Sequence, residues 1–132
     1  VDTAGGSRDE QRTYAEGSDF VVAPCQPAAS SIEQVMDLAE ILKATGVPFG
    51  VVLTMCDTRR KVDAIKTRQV LERVGLPVLT AQITLLSAWP KAEAAGVAVR
   101  DARTDTDRPD AGAVTAWQQV ADLAAEIETK LN

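Results

Sequence analysis

Residues 47–54, VPFGVVLT, form a continuous apolar run that follows Gly46 and is rich in β-branched side chains. A run of this length without polar alternation predicts a strand that is buried on both faces, as in the parallel sheets of α/β proteins. Two similar runs flank it, at residues 19–23 (DFVVA, which ends at Pro24) and 77–83 (PVLTAQI). The sequence therefore predicts three buried strands in succession.

Helical patterns lie between these strands and after them. The first helix is predicted to start at a capping box of Ser30 and Glu33 and to stop at Gly46, with a core-facing stripe of Ile32, Val35, Met36, Ala39 and Leu42. The second helix is predicted from the stripe Val62, Ile65, Val70, Leu71 and Val74 and is closed by Gly75. The last helix is predicted from the stripe Trp117, Val120, Ala124, Ile127 and Leu131. Helices that alternate with strands predict the fold class α/β, a parallel sheet with helices on both faces.

Composition narrows the classes of protein that the chain can belong to. Its 132 residues, 45% of them hydrophobic, are enough for one domain spanning residues 1–132 and too few for two ordinary ones. The net charge of -5 excludes a surface that is basic all over, so nucleic acid would need a local patch. Cys25 and Cys56 are far apart in sequence and are expected to be reduced core thiols, as in a cytoplasmic protein.

The segment Asp2-Thr3-Ala4-Gly5 is a D-x-x-G pattern of the kind that follows a strand in nucleotide hydrolases. An aspartate there accepts hydrogen bonds from magnesium-bound water, and the glycine lets a backbone N–H approach the γ-phosphate. A capped strand-to-helix turn, in which Asp2 bonds only backbone amides, explains the same four residues. Both interpretations of this short pattern stay open.

A second pattern, Thr54-Met55-Cys56-Asp57, follows the central strand. In many P-loop hydrolases a T-x-x-D at this point contacts the base, and a lysine in its second position indicates guanine. Met55 occupies that position here. The substitution disfavours a GTPase.

Taken in order, these segments resemble the C-terminal part of a ParA/MinD-type P-loop ATPase of the SIMIBI class. Ser18–Pro24 matches the family pattern A/S-D-x-hydrophobic-hydrophobic-x-P, and Gln26–Ser30 fits the stretch P-x-P-x-x-x-S that opens the next helix. Val52–Arg59 resembles V-L-T-M-x-D-x-R, residues 92–99 resemble E-A-x-x-x-G-x-P-V, and residues 111–127 resemble the last helix. The resemblance covers nearly the whole chain and depends on the order and spacing of the segments.

The resemblance implies a Rossmann-like P-loop NTPase fold, present in part, and a set of site residues. Asp2, Thr3, Gly5 and Gly6 would lie near the nucleotide and magnesium, with Asp2 reaching Mg²⁺ through water. The base side would be formed by Thr54, Met55, Asp57, Thr84 and Leu85. The complete protein would bind ATP and Mg²⁺, form a homodimer in the ATP state, respond to a partner that stimulates hydrolysis, and act in the cytoplasm away from membranes.

The family's K-G-G-x-G-K-S/T phosphate loop does not occur in the sequence, which begins inside an expected strand at Val1. We therefore expect a phosphate-binding half to precede Val1 in the complete protein. The loop amides and lysine of that half hold the triphosphate. This chain alone is expected neither to hydrolyse ATP nor to hold a nucleotide tightly.

Charged segments give further hypotheses. The cluster Arg59, Arg60, Lys61, Lys66 and Arg68 could bind DNA phosphates, or could be an ordinary solvated helix face. The last helix carries Asp122, Glu126 and Glu128, so it is expected to pack on the sheet and not on an anionic membrane. Asp105, Asp107 and Asp110 are interpreted as a flexible acidic turn.

Three functions from different classes follow. The first is a partitioning or positioning ATPase of the ParA type, acting on plasmids, chromosomes or other cargo. The second is a GTPase of the signal-recognition type, which the D-x-x-G and T-x-x-D patterns favour. Met55 opposes it, and so does Gly6, because such proteins carry arginine at the position of Gly6. The third is an interaction module that has kept the fold and lost the nucleotide chemistry.

Overall fold

The sheet consists of three parallel strands in the spatial order 1-2-3: β1 (Val21–Cys25), β2 (Phe49–Cys56) and β3 (Val78–Thr84). They belong to a computed structural model that describes residues 2–3 and 5–132. The helices are α1 (Arg8–Glu16), α2 (Ala29–Thr45), α3 (Lys61–Arg73), α4 (Ala88–Ala95) and α5 (Ala113–Leu131), with 3₁₀ turns at Thr58–Arg60 and Val99–Asp101. The predicted α/β class, with a parallel sheet and helices packed on it, is confirmed.

α2 and α3 are the crossovers that connect neighbouring parallel strands, and right-handed crossovers in the same direction place both helices on one face of the sheet. One hydrophobic cluster joins them to the strands. It contains Ala23, Cys25, Val51 and Leu53 from β1 and β2 with Val35, Ala39, Ala64 and Leu71 from the helices. Both cysteines are buried free thiols, and burial raises the pKa of each.

β1 begins two residues later than the sequence predicted and includes Pro24. Val21 donates its N–H to the carbonyl of Pro48, so Val21 faces β2. Because successive residues of a strand bond to opposite sides, Pro24 faces away from β2, where its missing N–H removes no ladder bond. A proline at this outward position is compatible with an edge strand.

The start of α2 differs from the predicted capping box. The helix begins at Ala29, so Ser30 and Glu33 both lie inside it, and no side chain caps it. Ser31 instead accepts a hydrogen bond from the N–H of Gln26, at 2.9 Å between N and Oγ. The predicted end is confirmed, since Gly46 follows the helix with a left-handed φ of 71°.

The predicted core stripe of α3 was wrong except at Leu71. The buried side chains are Ala64, Thr67 and Leu71, spaced three and four residues apart, whereas Val62, Ile65, Val70 and Val74 are exposed. Ala64 and Thr67 are small, which allows the helix to lie close to the strands beneath it. The sequence interpretation favoured the bulkier aliphatic residues, which fall on the solvent side.

α5 lies along β3, and its orientation also differs from prediction. The helix turns Ala116, Gln119, Leu123 and Glu126 inward. Val120 and Ile127 of the predicted stripe are half-buried, while Trp117, Ala124 and Leu131 are exposed. Glu126 was predicted to lie on the polar face, yet it binds β3 backbone amides, as does Gln119. Packing against the sheet is confirmed, but Glu126 belongs to the packed face and not to the solvent.

β3 contains a bulge whose backbone is bound by two charged side chains, Glu126 from α5 and Arg68 from α3. The register runs from Val51↔Val78 to Leu53↔Gln82, so β3 has extra residues in between. The successive N–H groups of Thr80 and Ala81 both donate to the Glu126 carboxylate, at 2.7 and 2.9 Å. From α3, Arg68 donates to the carbonyl of Leu79 at 2.9 Å. These contacts satisfy backbone groups that the sheet ladder leaves free.

No helix in the described ranges, 2–3 and 5–132, is long and apolar enough to span a bilayer.

Candidate functional site

A cleft of about 230 Å³ lies at the carboxyl ends of the three strands. Its lining comes from the loops that follow each strand: Gln26, Pro27 and Ala28 after β1, Met55, Asp57, Arg60 and Asp63 at the end of β2 and beyond, and Leu85 after β3. This is the edge at which open parallel sheets bind ligands. Complete ligand pockets usually measure about 300–1,000 Å³, so the cleft is smaller than a complete ligand pocket.

Met55 has an unusual backbone at the end of β2. Its φ is 52°, in the left-handed region, although it is not glycine. The register shifts between Leu53↔Gln82 and Cys56↔Thr84, so β2 has one extra residue there and Met55 lies within a bulge. Its side chain is 48% exposed at the cleft. Left-handed backbone in a side-chain-bearing residue costs about 1 kcal/mol, and such strain is concentrated at functional sites.

Asp57 is fully engaged by Arg59. Its Oδ1 accepts from the Arg59 backbone N–H at 2.9 Å and from Nε at 3.2 Å, while Oδ2 accepts from Nη2 at 3.2 Å. The side-chain bonds from Arg59, followed by its backbone N–H, lower the pKa of Asp57. Both oxygens are therefore occupied by the turn that Asp57 caps.

The loop between β1 and α2 closes another side of the cleft. Ala28 donates its N–H to the carbonyl of Gln26 at 2.8 Å, which folds the loop tightly before the helix begins. Within the described chain, no side chain caps the first amides of α2. The family resemblance of the sequence includes this loop. The signal that places it in the cleft is its position directly after a buried parallel strand.

The predicted base-side residues divide into two groups. Met55, Asp57 and Leu85 line the cleft together. Thr54 is half-buried and does not line it. Thr84 is buried, donates its N–H to Gln119 Oε1 at 2.9 Å and accepts from Gln119 Nε2 at 2.7 Å, so its contacts hold α5 in place.

The predicted phosphate-side residues are not among those that line the cleft. Asp2, Thr3 and Gly5 are exposed. Gly6 is half-buried against the Glu10 carboxylate, which accepts from the N–H of Ser7 in a capping box at the start of α1. Val1 and Ala4, which belong to the expected strand end and the D-x-x-G pattern, lie outside the described residues.

The predicted DNA-binding cluster is largely bonded within the chain. Arg59 pairs with Asp57, Arg60 pairs with Asp63 at 2.8 Å, and Arg68 holds the β3 bulge. Lys61 and Lys66 are exposed. At about 100° per residue on a helix, Lys66 and Arg68 point in directions about 200° apart. The five cations therefore do not share one face.

Asp110 corrects the interpretation of the acidic turn. It is only 6% exposed. Its Oδ2 accepts from Lys91 Nζ at 2.6 Å and from Ser87 Oγ at 3.4 Å, and its Oδ1 accepts from the Gly112 N–H at 2.8 Å. These contacts tie α4 to the start of α5. The described residues contain no group of three or more potential metal-binding side chains.

Comparison with protein-family models and with curated proteins gave no match. The functional interpretation therefore rests on the residues of the cleft and on the family resemblance of the sequence.

Proposed function

We propose that this chain is the C-terminal part of a ParA-type partitioning or positioning ATPase and that the cleft receives the adenine side of ATP. The observation that supports this most directly is the meeting of three consecutive strand-end loops in one cleft. Met55, Asp57 and Leu85, which the family resemblance assigns to the base side, are all among its lining residues.

Adenine is favoured over guanine by the chemistry of the same residues. In a guanine-specific site the aspartate of this loop accepts hydrogen bonds from the base edge, whereas Asp57 is paired with Arg59 within its own turn. Met55 offers an exposed, polarisable thioether in the position where a guanine-specific site carries lysine. The signal-recognition-type GTPase is therefore the weaker alternative.

The remaining chemistry belongs to the complete protein. We propose that a phosphate-binding half supplies the loop for ATP and Mg²⁺, that Asp2 contacts Mg²⁺ through water, and that the ATP-bound form is a cytoplasmic homodimer. A DNA contact in that form would rest on Lys61 and Lys66, since Arg59, Arg60 and Arg68 have partners within this chain. The part of the chain described here holds no phosphate loop.

The role of Asp2 is tested in the protein encoded by the whole reading frame. Asp2→Ala is expected to lower the ATP turnover rate at least about tenfold, equivalent to about 1.4 kcal/mol of barrier, while circular dichroism shows an intact fold. Asp37→Ala, at an exposed position on α2, is the matched control and is expected to leave turnover unchanged. An Asp2→Ala rate equal to wild type, or a reading frame without a phosphate loop, would refute the proposal.

The role of Met55 is tested with Met55→Gly in the same protein. Glycine adopts a left-handed φ without strain, so stability is expected to be unchanged or up to about 1 kcal/mol higher. Loss of the apolar Met55 side chain from the cleft is expected to weaken ATP binding about three- to tenfold, as measured by titration calorimetry. Val114→Ala, which trims an exposed side chain on α5, is the control. Unchanged affinity for ATP, or a strong preference for GTP in competition, would contradict the assignment.

A further inference from the structure

We propose that the outer face of α3 is a docking surface for an acidic amphipathic helix of a partner protein. The first observation is its apolar content. Val62 and Ile65 are 57% and 55% exposed, and Val70 and Val74, further along the chain, are 39% and 46% exposed. Single exposed aliphatic residues are ordinary, but three on one helix of 13 residues, with a fourth directly after its last residue, form an unusual concentration.

Helical spacing makes these side chains neighbours. Val62 and Ile65 are three residues apart, and Val70 and Val74 are four apart, so each pair is adjacent on the surface. Lys66 lies four residues after Val62 and four before Val70, and therefore connects the two pairs. The outer face of α3 is defined here as Val62, Ile65, Lys66 and Val70 together with Arg73, which lies three residues after Val70. Val74 follows the helix and points about 180° away from Ile65, so it is not part of this face.

Charge is the second, independent observation. Six of the 14 Lys and Arg residues, and only two of the 19 Asp and Glu residues, lie between positions 59 and 73. This segment therefore carries a formal charge of +4, and the rest of the chain carries -9. A cationic helix on an otherwise acidic protein selects an acidic partner and orients it on approach.

The cations of the outer face are available, because the acidic residues of α3 are engaged elsewhere. Asp63 pairs with Arg60, and Glu72 lies 3.8 Å from Arg68, the residue that holds the β3 bulge. Among the described residues, neither Lys66 nor Arg73 has a carboxylate oxygen within 4.0 Å. Both can therefore pair with glutamates or aspartates of a partner.

The same features favour a protein helix over DNA or a membrane. Phosphates are bound by cations alone, so the three aliphatic side chains of this face would contribute nothing to a DNA contact. Membrane-surface helices insert bulky Trp, Phe and Leu side chains, and a planar anionic surface would also meet the acidic remainder of the domain. An amphipathic helix instead buries Val62 and Ile65 and places its own carboxylates near Lys66 and Arg73.

The experiment uses this chain and a labelled helical peptide of about 18 residues, with leucines spaced three and four apart and glutamates at the other positions. Binding is measured by fluorescence anisotropy, and the contact is located by amide chemical shifts. A peptide of the same composition with its leucines dispersed around the helix is the probe control. A DNA duplex and vesicles of mixed phosphatidylcholine and phosphatidylglycerol are tested in parallel.

We expect the amphipathic acidic peptide to bind with shift changes centred on Val62, Ile65 and Lys66, and the dispersed peptide to bind at least about tenfold more weakly. Val62→Ser/Ile65→Ser and Lys66→Glu/Arg73→Glu are each expected to weaken binding at least about tenfold. These positions are exposed, so the variants should fold, which the spectra check directly. The control Val114→Ser/Arg108→Glu, an exposed apolar residue and an exposed cation outside α3, should bind as wild type.

Three results would overturn the proposal. The first is no saturable peptide binding up to about 1 mM, and the second is binding that the α3 variants leave unchanged. The third is binding of DNA or vesicles through Lys66 and Arg73 in the absence of peptide binding. The inference does not depend on the proposed nucleotide site, because none of the varied residues lines the cleft.

Discussion

Replacing Glu126 by alanine is expected to lower the free energy of unfolding by about 2 kcal/mol. Hydrogen bonds to a charged group contribute about 1.5–3 kcal/mol each when buried, and Glu126 makes two, to the N–H groups of Thr80 and Ala81. The site is only partly buried, so water replaces part of what is lost. Of the two charged side chains that bind the bulge in β3, only Arg68 would then remain.

Urea unfolding measures this effect, with Glu128→Ala, an exposed residue on the same helix, as the control. Glu126→Gln keeps one acceptor oxygen and is expected to lose about half as much. A Glu126→Ala variant no less stable than the control would show that the carboxylate does not support β3.

The pH dependence of stability gives a second measurement on Glu126. Partial burial by itself would raise its pKa, but the N–H bonds from Ala81 and Thr80 outweigh it and lower the pKa. A carboxylate with a lowered folded-state pKa stabilises the fold fully above its ordinary pKa of about 4.3, and this stabilisation is lost as the pH falls through the folded-state value. Glu126→Gln should therefore lose less stability on acidification than wild type.

Replacing Asp110 by alanine is expected to lower Tm by about 5–10 °C. The change removes the partner of Lys91 and leaves the N–H of Gly112 without its acceptor in a buried place, where an unsatisfied donor is most unfavourable. α4 would lose its tie to the start of α5. The exposed loop residue Asp105 offers the matched control, Asp105→Ala.

Thermal unfolding at neutral and at acidic pH distinguishes the contribution of the Asp110 charge from other effects of the substitution. The hydrogen bond from Lys91, followed by that from Gly112, lowers the pKa of Asp110. Its contribution is thus present at neutral pH and is lost as the pH falls below its ordinary value of about 3.9. The difference in Tm between wild type and Asp110→Ala should shrink in acid. A difference independent of pH would mean that the charge of Asp110 is unimportant.

The strands and α2 could be predicted from the sequence because continuous apolar runs and a helical stripe ending at Gly46 are local signals. The orientation of α3 could not, and that of α5 only in part. Sequence periodicity ranks side chains by hydrophobicity, but Ala64 and Thr67 are buried for their small size, and Glu126 for its acceptor oxygens.

The same reasoning applies to the candidate site. Met55 and Asp57 were found because they follow a buried strand, and parallel strands end at a common edge. The left-handed backbone of Met55 was not predictable, since a bulge depends on the register with β3. Asp63 lines the cleft because α3 begins at Lys61, shortly after β2 ends. Asp110 is buried through contacts with Lys91 and Ser87, which are distant from it in sequence.

The contacts between α5 and β3 also make the two edges of the sheet differ in how many backbone groups are free to pair. An unpaired strand edge invites further strands, including those of other molecules, and leads to aggregation. On the β3 side the amides of Thr80, Ala81 and Thr84 are already taken by Glu126 and Gln119, so strand addition there is blocked. On the β1 side no helix side chain among the described residues bonds to the outward backbone, and Pro24 removes one donor. Any enlargement of the sheet, within one molecule or between two, must therefore proceed from β1.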